Sequence, residues 1–142
     1  MRAPLFVKQD FILHSGTPAH WKIECDSLTD EDIATLALII VEKTSIPVWE
    51  DFCAAEDKSD IRRVHGVPRG GVKLAKALEQ YIDPNGTIDL IVDDVLTTGA
   101  SMEQAKKELG WKNVFGVVIF ARGQYPHWIY PIFDMRWFYT KQ

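Results

Sequence analysis

The chain has 142 residues, of which 46% are hydrophobic and 25% charged, a composition typical of one globular domain rather than of a disordered or collagen-like chain. Its apolar runs are shorter than the ~18 residues of a membrane span, and its start lacks the apolar stretch of a secretory signal. The net charge of −4 does not favour nucleic-acid binding. Cys25 and Cys53 lack metal-site spacing, which predicts reduced thiols in a cytoplasmic protein. Given the short apolar runs and the net charge, we expect neither a membrane nor a nucleic acid as a partner.

The first part of the chain is expected to form a hairpin followed by a helix. Residues 11–26 contain two short apolar-polar segments around a turn rich in Ser, Gly and Pro. Residues 29–43 have the apolar spacing of a helix, with Thr29 as a capping residue and three acidic residues in the first turn. Residues 46–60 show no clear pattern.

After residue 60, predicted strands and helices alternate. The expected strands are residues 61–66, 88–92 and 114–121, and helical apolar stripes follow the first two, from Val72 and from Met102. This order is typical of an α/β fold with a doubly wound parallel sheet. The aromatic segment 128–139 is strand-like, and Pro131 favours an edge position there.

One loop of this sheet has the composition of a phosphate cradle. Residues 90–101 read Leu-Ile-Val-Asp-Asp-Val-Leu-Thr-Thr-Gly-Ala-Ser. The last five of them, Thr97, Thr98, Gly99, Ala100 and Ser101, offer backbone N–H groups and hydroxyls at a helix N-terminus, where phosphate binds well. Asp93 and Asp94 would repel a phosphate, so they suit ribose hydroxyls or Mg²⁺ held through water. The structural alternative is a capped helix after a solvated turn.

A second loop precedes it by one strand-helix unit. Residues 66–71 read Gly-Val-Pro-Arg-Gly-Gly. The two final glycines permit close approach of a ligand to the backbone, and Arg69 can bind phosphate oxygens with two hydrogen bonds. By itself such a sequence is often an ordinary turn.

Together the two loops resemble the motifs of the type I phosphoribosyltransferases. Residues 90–101 are similar to the motif that binds phosphoribosyl diphosphate (PRPP), which implies that Asp93 and Asp94 hold the ribose 2′- and 3′-hydroxyls. It also implies that the five residues 97–101 bind the 5′-phosphate. Residues 66–71 resemble the family's pyrophosphate loop, which implies pyrophosphate binding by Pro68, Arg69, Gly70 and Gly71. Arg69, Asp93 and Asp94 are then the expected catalytic residues.

A fainter resemblance concerns residues 11–26, which are similar to the N-terminal segment of orotate phosphoribosyltransferases. In that group the segment contributes to a hood over the base. The resemblance implies a base site at His14 and Ser15, to which Trp128 and Ile129 of the aromatic segment are added as candidates. The expected organisation is a single domain, residues 1–142, with hood elements at 1–28 and 124–142 around a core of residues 29–123.

The sequence departs from the family between the predicted helix that ends near Ile82 and the strand that begins near Ile88. Family members carry a long flexible lid there, and these few residues leave no room for one. We therefore expect residues 48–60 or a partner subunit to cover the site. Family members are commonly homodimers, so a homodimer is expected.

The resemblance implies transfer of the 5-phosphoribosyl group from PRPP to a nitrogenous base, with Mg²⁺ and with release of pyrophosphate. Arg69 and Mg²⁺ would neutralise the leaving group. The alternative is a non-catalytic sensor of PRPP or nucleotides. A phosphorylated receiver domain also has an acidic pair, but it needs a further Asp and a Lys after a later strand, where residues 121–123 are Ala-Arg-Gly. The base is left open between a pyrimidine such as orotate and a purine.

Overall fold

The computed structural model describes residues 4–12, 18–44 and 59–136. Its strands are β1 (Phe6–Ile12), β2 (Pro18–Ile23), β3 (Ile61–Gly66), β4 (Ile88–Leu96), β5 (Val114–Ala121) and β6 (Ile129–Asp134). Its α-helices are α1 (Asp30–Thr44), α2 (Val72–Leu78) and α3 (Ala100–Leu109), and short 3-10 turns lie at Cys25–Ser27 and Glu79–Tyr81. None of the helices in these described ranges is long and apolar enough to cross a membrane.

Strands β3, β4, β5 and β6 form a parallel sheet in that order. The predicted adjacency of the strands at 88–92 and 114–121 is confirmed, because Leu90 pairs with Phe115 and Val92 with Val117. From Gly116 onward every residue of β5 is buried, as expected for a strand with neighbours on both sides and helices on both faces. The parallel sheet places the ends of β3, β4 and β5, with the loops that follow them, along one edge.

The helices cover the sheet from opposite sides, so the predicted doubly wound α/β fold is confirmed. The buried apolar faces of α1 and α2 share one core with the strand residues Leu90, Val92, Val117 and Ile119. The face of α3 with Met102 and Ala105 packs with Ile91 and Val118 in a second core. The capping of α1 follows from its sequence: Thr29 Oγ1 accepts from Asp32 N, and the Asp32 carboxylate accepts from Thr29 N at 2.8 Å.

The N-terminal hairpin pairs β1 with β2 antiparallel in a separate two-stranded sheet. Its first strand begins at Phe6, earlier than the pattern in residues 11–26 indicates. The hairpin joins the main body through the ring of Phe6, which lies edge-on to Phe120 with centroids 5.9 Å apart. Cys25 lies beyond the second strand of the hairpin, in a 3-10 turn.

The described part of the C-terminal aromatic segment, which was expected in the hood, is a strand of the main sheet. Ile129–Asp134 is the outer strand of the main sheet, paired with β5 from Gly116↔Ile129 to Ala121↔Asp134. Stacking of Phe133 on Phe120 at 5.3 Å adds to the pairing. Pro131 lies on an edge strand as predicted, since among the described strands β6 pairs with β5 alone. Residues 137–142 lie outside the described residues.

Strand β4 also differs from its predicted bounds. It was expected to end at Val92 before a loop, and it runs on to Leu96, pairing Asp93 with Val118 and Leu96 with Ala121. The apolar residues Val95 and Leu96 explain the extension, since Leu96 is buried in the core beneath α3. The acidic pair is thus held by strand pairing.

Candidate functional site

The predicted phosphate loop connects β4 to α3 at the carboxyl end of the sheet. Gly99 has φ +83°, a left-handed conformation that few residues other than glycine adopt readily. It turns the chain so that α3 begins at Ala100, whose N–H is bonded to Thr98 Oγ1 at 3.3 Å. The first N–H groups of a helix have no partner within the helix and carry partial positive charge, so this loop is suited to an anion.

The loop after β5 fixes the phosphate loop from behind. Arg122 N donates to Leu96 O at 2.8 Å. Gly123 lies so close to Thr97 that a Cβ atom would overlap the Thr97 carbonyl oxygen. Two successive strand ends therefore hold residues 97–101 in position.

The predicted pyrophosphate loop is a tight turn between β3 and α2. Gly71 N donates to Val67 O at 2.9 Å, and Val67 N donates to Val92 O at 2.9 Å. Gly71 is packed so closely against β4 that a Cβ atom would overlap Val92 O. Pro68, Arg69 and Gly70 are exposed at the tip of the turn. Close packing of its base thus presents the three tip residues to a ligand.

The two loops meet at the acidic pair. Asp93 lines a small cavity with residues 95–102, whereas Asp94 lines a larger one with Arg69 and Gly70. Consecutive residues of a strand point to opposite faces, which explains why one carboxyl group belongs to each cavity. Both carboxyl groups also accept a backbone N–H, from Asp94 N at 2.8 Å and Val95 N at 2.7 Å.

Asp93 is 8% exposed, so its carboxyl group is largely removed from water. Burial, followed by the neighbouring Asp94 carboxyl group, raises the pKa of Asp93 to about 8. The hydrogen bond from Asp94 N opposes this shift but does not cancel it. A buried carboxyl group of this kind is ready to pair with a cation or to share its proton with an acceptor.

The larger cavity, which we call the cleft, has a volume of about 270 Å³. Its lining residues are Cys25, Asp26, Leu28, Ile33, Arg69, Gly70, Lys73, Asp94 and Ile119. Sequence reasoning missed Lys73, although its place in the first turn of α2, four residues after Arg69, is a signal that could have found it. Cys25 and Asp26 belong to the segment 11–26 that the sequence assigns to the hood, although neither is singled out there as a site residue.

Two of the residues expected at the base site, Trp128 and Ile129, lie in the second core of the structure. Trp128 is 8% exposed and packs on α3, where its indole N–H donates to Glu103 at 2.7 Å and Lys106 lies 4.8 Å from its ring. Ile129 is buried in the same core. Both are core residues in the structure, as their apolar character also allows. His14 and Ser15 lie outside the described residues.

The connection from α2 to β4 is short, as the sequence indicates. Residues 82–87 are tied down by hydrogen bonds from Asp83 N to Ile61 O at 2.8 Å and from Thr87 N to Asp60 O at 3.0 Å. Of the segment 48–60, expected to cover the site, only Ser59 and Asp60 are described. They lie at the amino end of β3, away from the two loops.

No protein-family model and no curated protein sequence matches the chain. Solved structures do match. Orotate phosphoribosyltransferase from Aeropyrum pernix has a TM-score of 0.66 at 17% identity, over 96% of this chain and 92% of that one. Leishmania donovani UMP synthase has a TM-score of 0.65 at 15% identity, over 94% of this chain but 34% of the synthase.

A third structure is the Mycobacterium tuberculosis orotate phosphoribosyltransferase in complex with inorganic phosphate. It has a TM-score of 0.52 at 19% identity, over 81% of this chain and 74% of that one. Identities this low establish a shared fold and not a shared substrate. The structural matches agree with the parallel sheet, the flanking helices and the positions of the two loops. They show that this chain has the type I phosphoribosyltransferase fold.

Proposed function

We propose that the protein is a phosphoribosyltransferase that transfers the 5-phosphoribosyl group of PRPP to a nitrogenous base and releases pyrophosphate. The observation that carries the proposal is the division of the acidic pair between two cavities, one lined by the phosphate loop and the other by Arg69 and Gly70. PRPP has the matching order of groups: a 5′-phosphate, a ribose and a pyrophosphate.

Each part of PRPP has a suitable partner in this arrangement. The 5′-phosphate suits the N–H groups and hydroxyls of residues 97–101. The ribose would lie across Asp93 and Asp94, whose carboxyl groups accept hydrogen bonds from hydroxyls. The pyrophosphate suits Arg69 and Lys73, whose side chains have no hydrogen-bond or ion-pair partner within the described parts of the chain.

The reaction exchanges one bond at C1 of the ribose. The bond from C1 to the pyrophosphate oxygen breaks, and its electron pair leaves with pyrophosphate. A ring nitrogen of the base forms the new bond to C1, and the proton of that nitrogen passes to the released pyrophosphate or to water. The transition state has the oxocarbenium character of other glycosyl transfers. Side chains therefore act by positioning the reactants and stabilising charge, with Arg69 beside the leaving group.

Mg²⁺ is the metal that this donor set fits. It binds through one or two carboxylates together with substrate phosphates and retains several waters. Asp93 and Asp94 supply such carboxylates next to the pyrophosphate loop, and residues 4–12, 18–44 and 59–136 contain no cluster of three metal-binding side chains. When bound, the ion would neutralise charge on the leaving pyrophosphate.

Pyrophosphate release from PRPP and Mg²⁺ over a panel of pyrimidine and purine bases tests the proposal. We expect release that depends on the base and is lost in Arg69→Ala. A matched control is Lys76→Ala, which removes an exposed cation of α2 that lies outside the cleft. PRPP binding without release in the presence of any base would contradict the transferase.

The acidic pair allows a second test of the same proposal. Asp93→Asn combined with Asp94→Asn should weaken the binding of PRPP far more than the binding of inorganic phosphate, because only PRPP offers ribose hydroxyls. Calorimetry with both ligands measures this difference. Equal weakening of the two ligands would mean that the pair acts on the fold and not on the ribose.

A non-catalytic sensor of PRPP or nucleotides is the second candidate. The short hydrogen-bonded connection at residues 82–87 favours it, because a transferase must exclude water from an oxocarbenium-like centre. Tight PRPP binding together with the absence of pyrophosphate release would identify the sensor.

A further inference from the structure

One wall of the cleft is not used by PRPP in the proposed function. It consists of Cys25 and Asp26 in the 3-10 turn, Leu28 after it and Ile33 in the first turns of α1, and it faces Ile119 of β5. We call it the hood wall. Arg69, Gly70 and Lys73 lie on the loop and helix that bound the cleft on another side. The two sides therefore present different chemistry to a ligand.

The hood wall is fixed by hydrogen bonds at both of its ends. Glu24 N donates to Leu5 O at 2.6 Å, and Ser27 Oγ donates to Pro4 O at 3.2 Å. The capping pair of Thr29 and Asp32 then sets the start of α1. Asp26 therefore lies in a short turn whose backbone is held by hydrogen bonds before and after it. A residue that determines specificity needs such a fixed backbone.

The charge of this wall is negative, and the cations of the cleft, Arg69 and Lys73, belong to its other side, where the pyrophosphate is proposed to bind. Asp26 has no hydrogen-bond or ion-pair partner in the described residues, and Asp94 contributes a second carboxyl group to the same cleft. The half-buried Cys25 thiol responds to this environment. Burial, then Asp94 and Asp26, raise its pKa well above the usual range, so it is a neutral side chain there.

The remaining surface of the wall is apolar. Leu28 and Ile33 are its aliphatic side chains, and Ile119 adds a third aliphatic residue to the lining of the cleft. A carboxylate on the side of a base ring that contacts this wall would be repelled by Asp26, whereas an amino group or ring N–H there could donate to Asp26. The wall thus selects against an anionic base and for one that donates hydrogen bonds.

We infer that the base that accepts the phosphoribosyl group is a neutral, amino-bearing nitrogen heterocycle, such as an aminopurine or aminopyrimidine. Asp26 is the residue that accepts a hydrogen bond from its amino group. The inference rests on the proposed function and specifies its substrate class. It separates this protein from the orotate enzymes of the same fold, because orotate carries a carboxylate.

The experiment measures binding of nucleoside 5′-monophosphates by calorimetry, which requires no turnover. AMP carries the amino group, IMP carries an oxo group on the same ring system, and orotidine 5′-monophosphate carries the carboxylate. Ribose 5-phosphate reports the phosphate and ribose sites alone. We expect AMP to bind about tenfold more tightly than IMP and more tightly still than orotidine 5′-monophosphate.

Asp26→Asn should bring AMP within about threefold of IMP while ribose 5-phosphate binds as before. Asp30→Asn is the matched control, since it removes an exposed carboxylate of α1 that does not line the cleft, and it should keep the preference for AMP. Tighter binding of orotidine 5′-monophosphate than of AMP, or a preference unchanged in Asp26→Asn, would overturn the inference. If ribose 5-phosphate binds and pyrophosphate is never released, the transferase fails while the nucleotide preference is still decided.

Discussion

The backbone of Gly70 lies directly against the carboxyl group of Asp94, so closely that a Cβ atom at position 70 would overlap both carboxyl oxygens. This contact joins the pyrophosphate loop to the acidic pair, which are separated by more than twenty residues in sequence. The two parts of the proposed PRPP site are therefore one packed unit, and a change in either must displace the other.

Gly70→Ala should weaken PRPP binding by at least about tenfold and lower the free energy of unfolding by about 1–3 kcal/mol, as overpacked sites do. Either the loop or the Asp94 side chain must move to admit the methyl group. Calorimetry and urea denaturation measure the two effects. In an Asp94→Ala background the stability cost should shrink, because the clash is removed. An equal cost in both backgrounds would contradict the contact.

Thr98→Ala should weaken the binding of inorganic phosphate and of ribose 5-phosphate by about tenfold or more, since a hydrogen bond to a charged group contributes about 1.5–3 kcal/mol. The hydroxyl also bonds Ala100 N and thereby orders the start of α3. Thr98→Ser is the matched control, because it keeps the hydroxyl and removes only a methyl group. Calorimetry that finds the Ala and Ser variants alike would argue against a role for the hydroxyl.

The stability of the protein should fall as the pH rises from about 4 to about 8, because of Asp93. Its folded pKa of about 8 lies above the ordinary value of 3.8, so over this interval the folded state binds a proton that the unfolded state has lost. Asp93→Asn removes this titration. Thermal unfolding should show the variant gaining stability relative to the parent as the pH rises, with little further gain above pH 8. Parallel profiles would contradict the shift.

Asp89 should contribute in the opposite direction. It is 1% exposed, and hydrogen bonds from Arg63 and Arg62, both to the same carboxylate, lower its pKa to about 2. Its stabilising effect is present above pH 4 and is lost as the pH falls towards 2. Asp89→Asn should cost on the order of 1.5–3 kcal/mol at pH 7, and the two proteins should converge near pH 2 in chemical denaturation. A constant difference would rule out the ion pairs as its source.

The central sheet and the two loops could be predicted from the sequence because their signals are local. Buried parallel strands are continuous apolar runs, as in residues 114–121, and Gly99 marks the turn that starts α3. Both predictions are confirmed, the first by the pairing of β5 with β4 and the second by the left-handed backbone of Gly99. The interpretation of Thr29 as a capping residue is confirmed for the same reason.

The less predictable features depend on contacts between distant segments. An aromatic run that suits a hood suits an edge strand equally well, and only its pairing with β5 decides for Ile129–Asp134. Trp128 has the chemistry of a base-stacking residue, but it is buried against α3, and this tertiary contact cannot be predicted from the local sequence. Asp26 and Lys73 carry no motif, and they become candidates because the fold brings α1, α2 and β4 around one cleft.

Residues 82–87 bear on how fast ligands can enter and leave. Their hydrogen bonds to Ile61 and Asp60, together with the close packing of Gly86 on Asp60, make this connection a fixed link between α2 and β4. Where a mobile lid stands at this place, its closure can add a slow step after encounter. Residues 82–87 contribute no such step, so any levelling off of the observed association rate at high PRPP concentration would come from a different part of the chain or from a partner subunit.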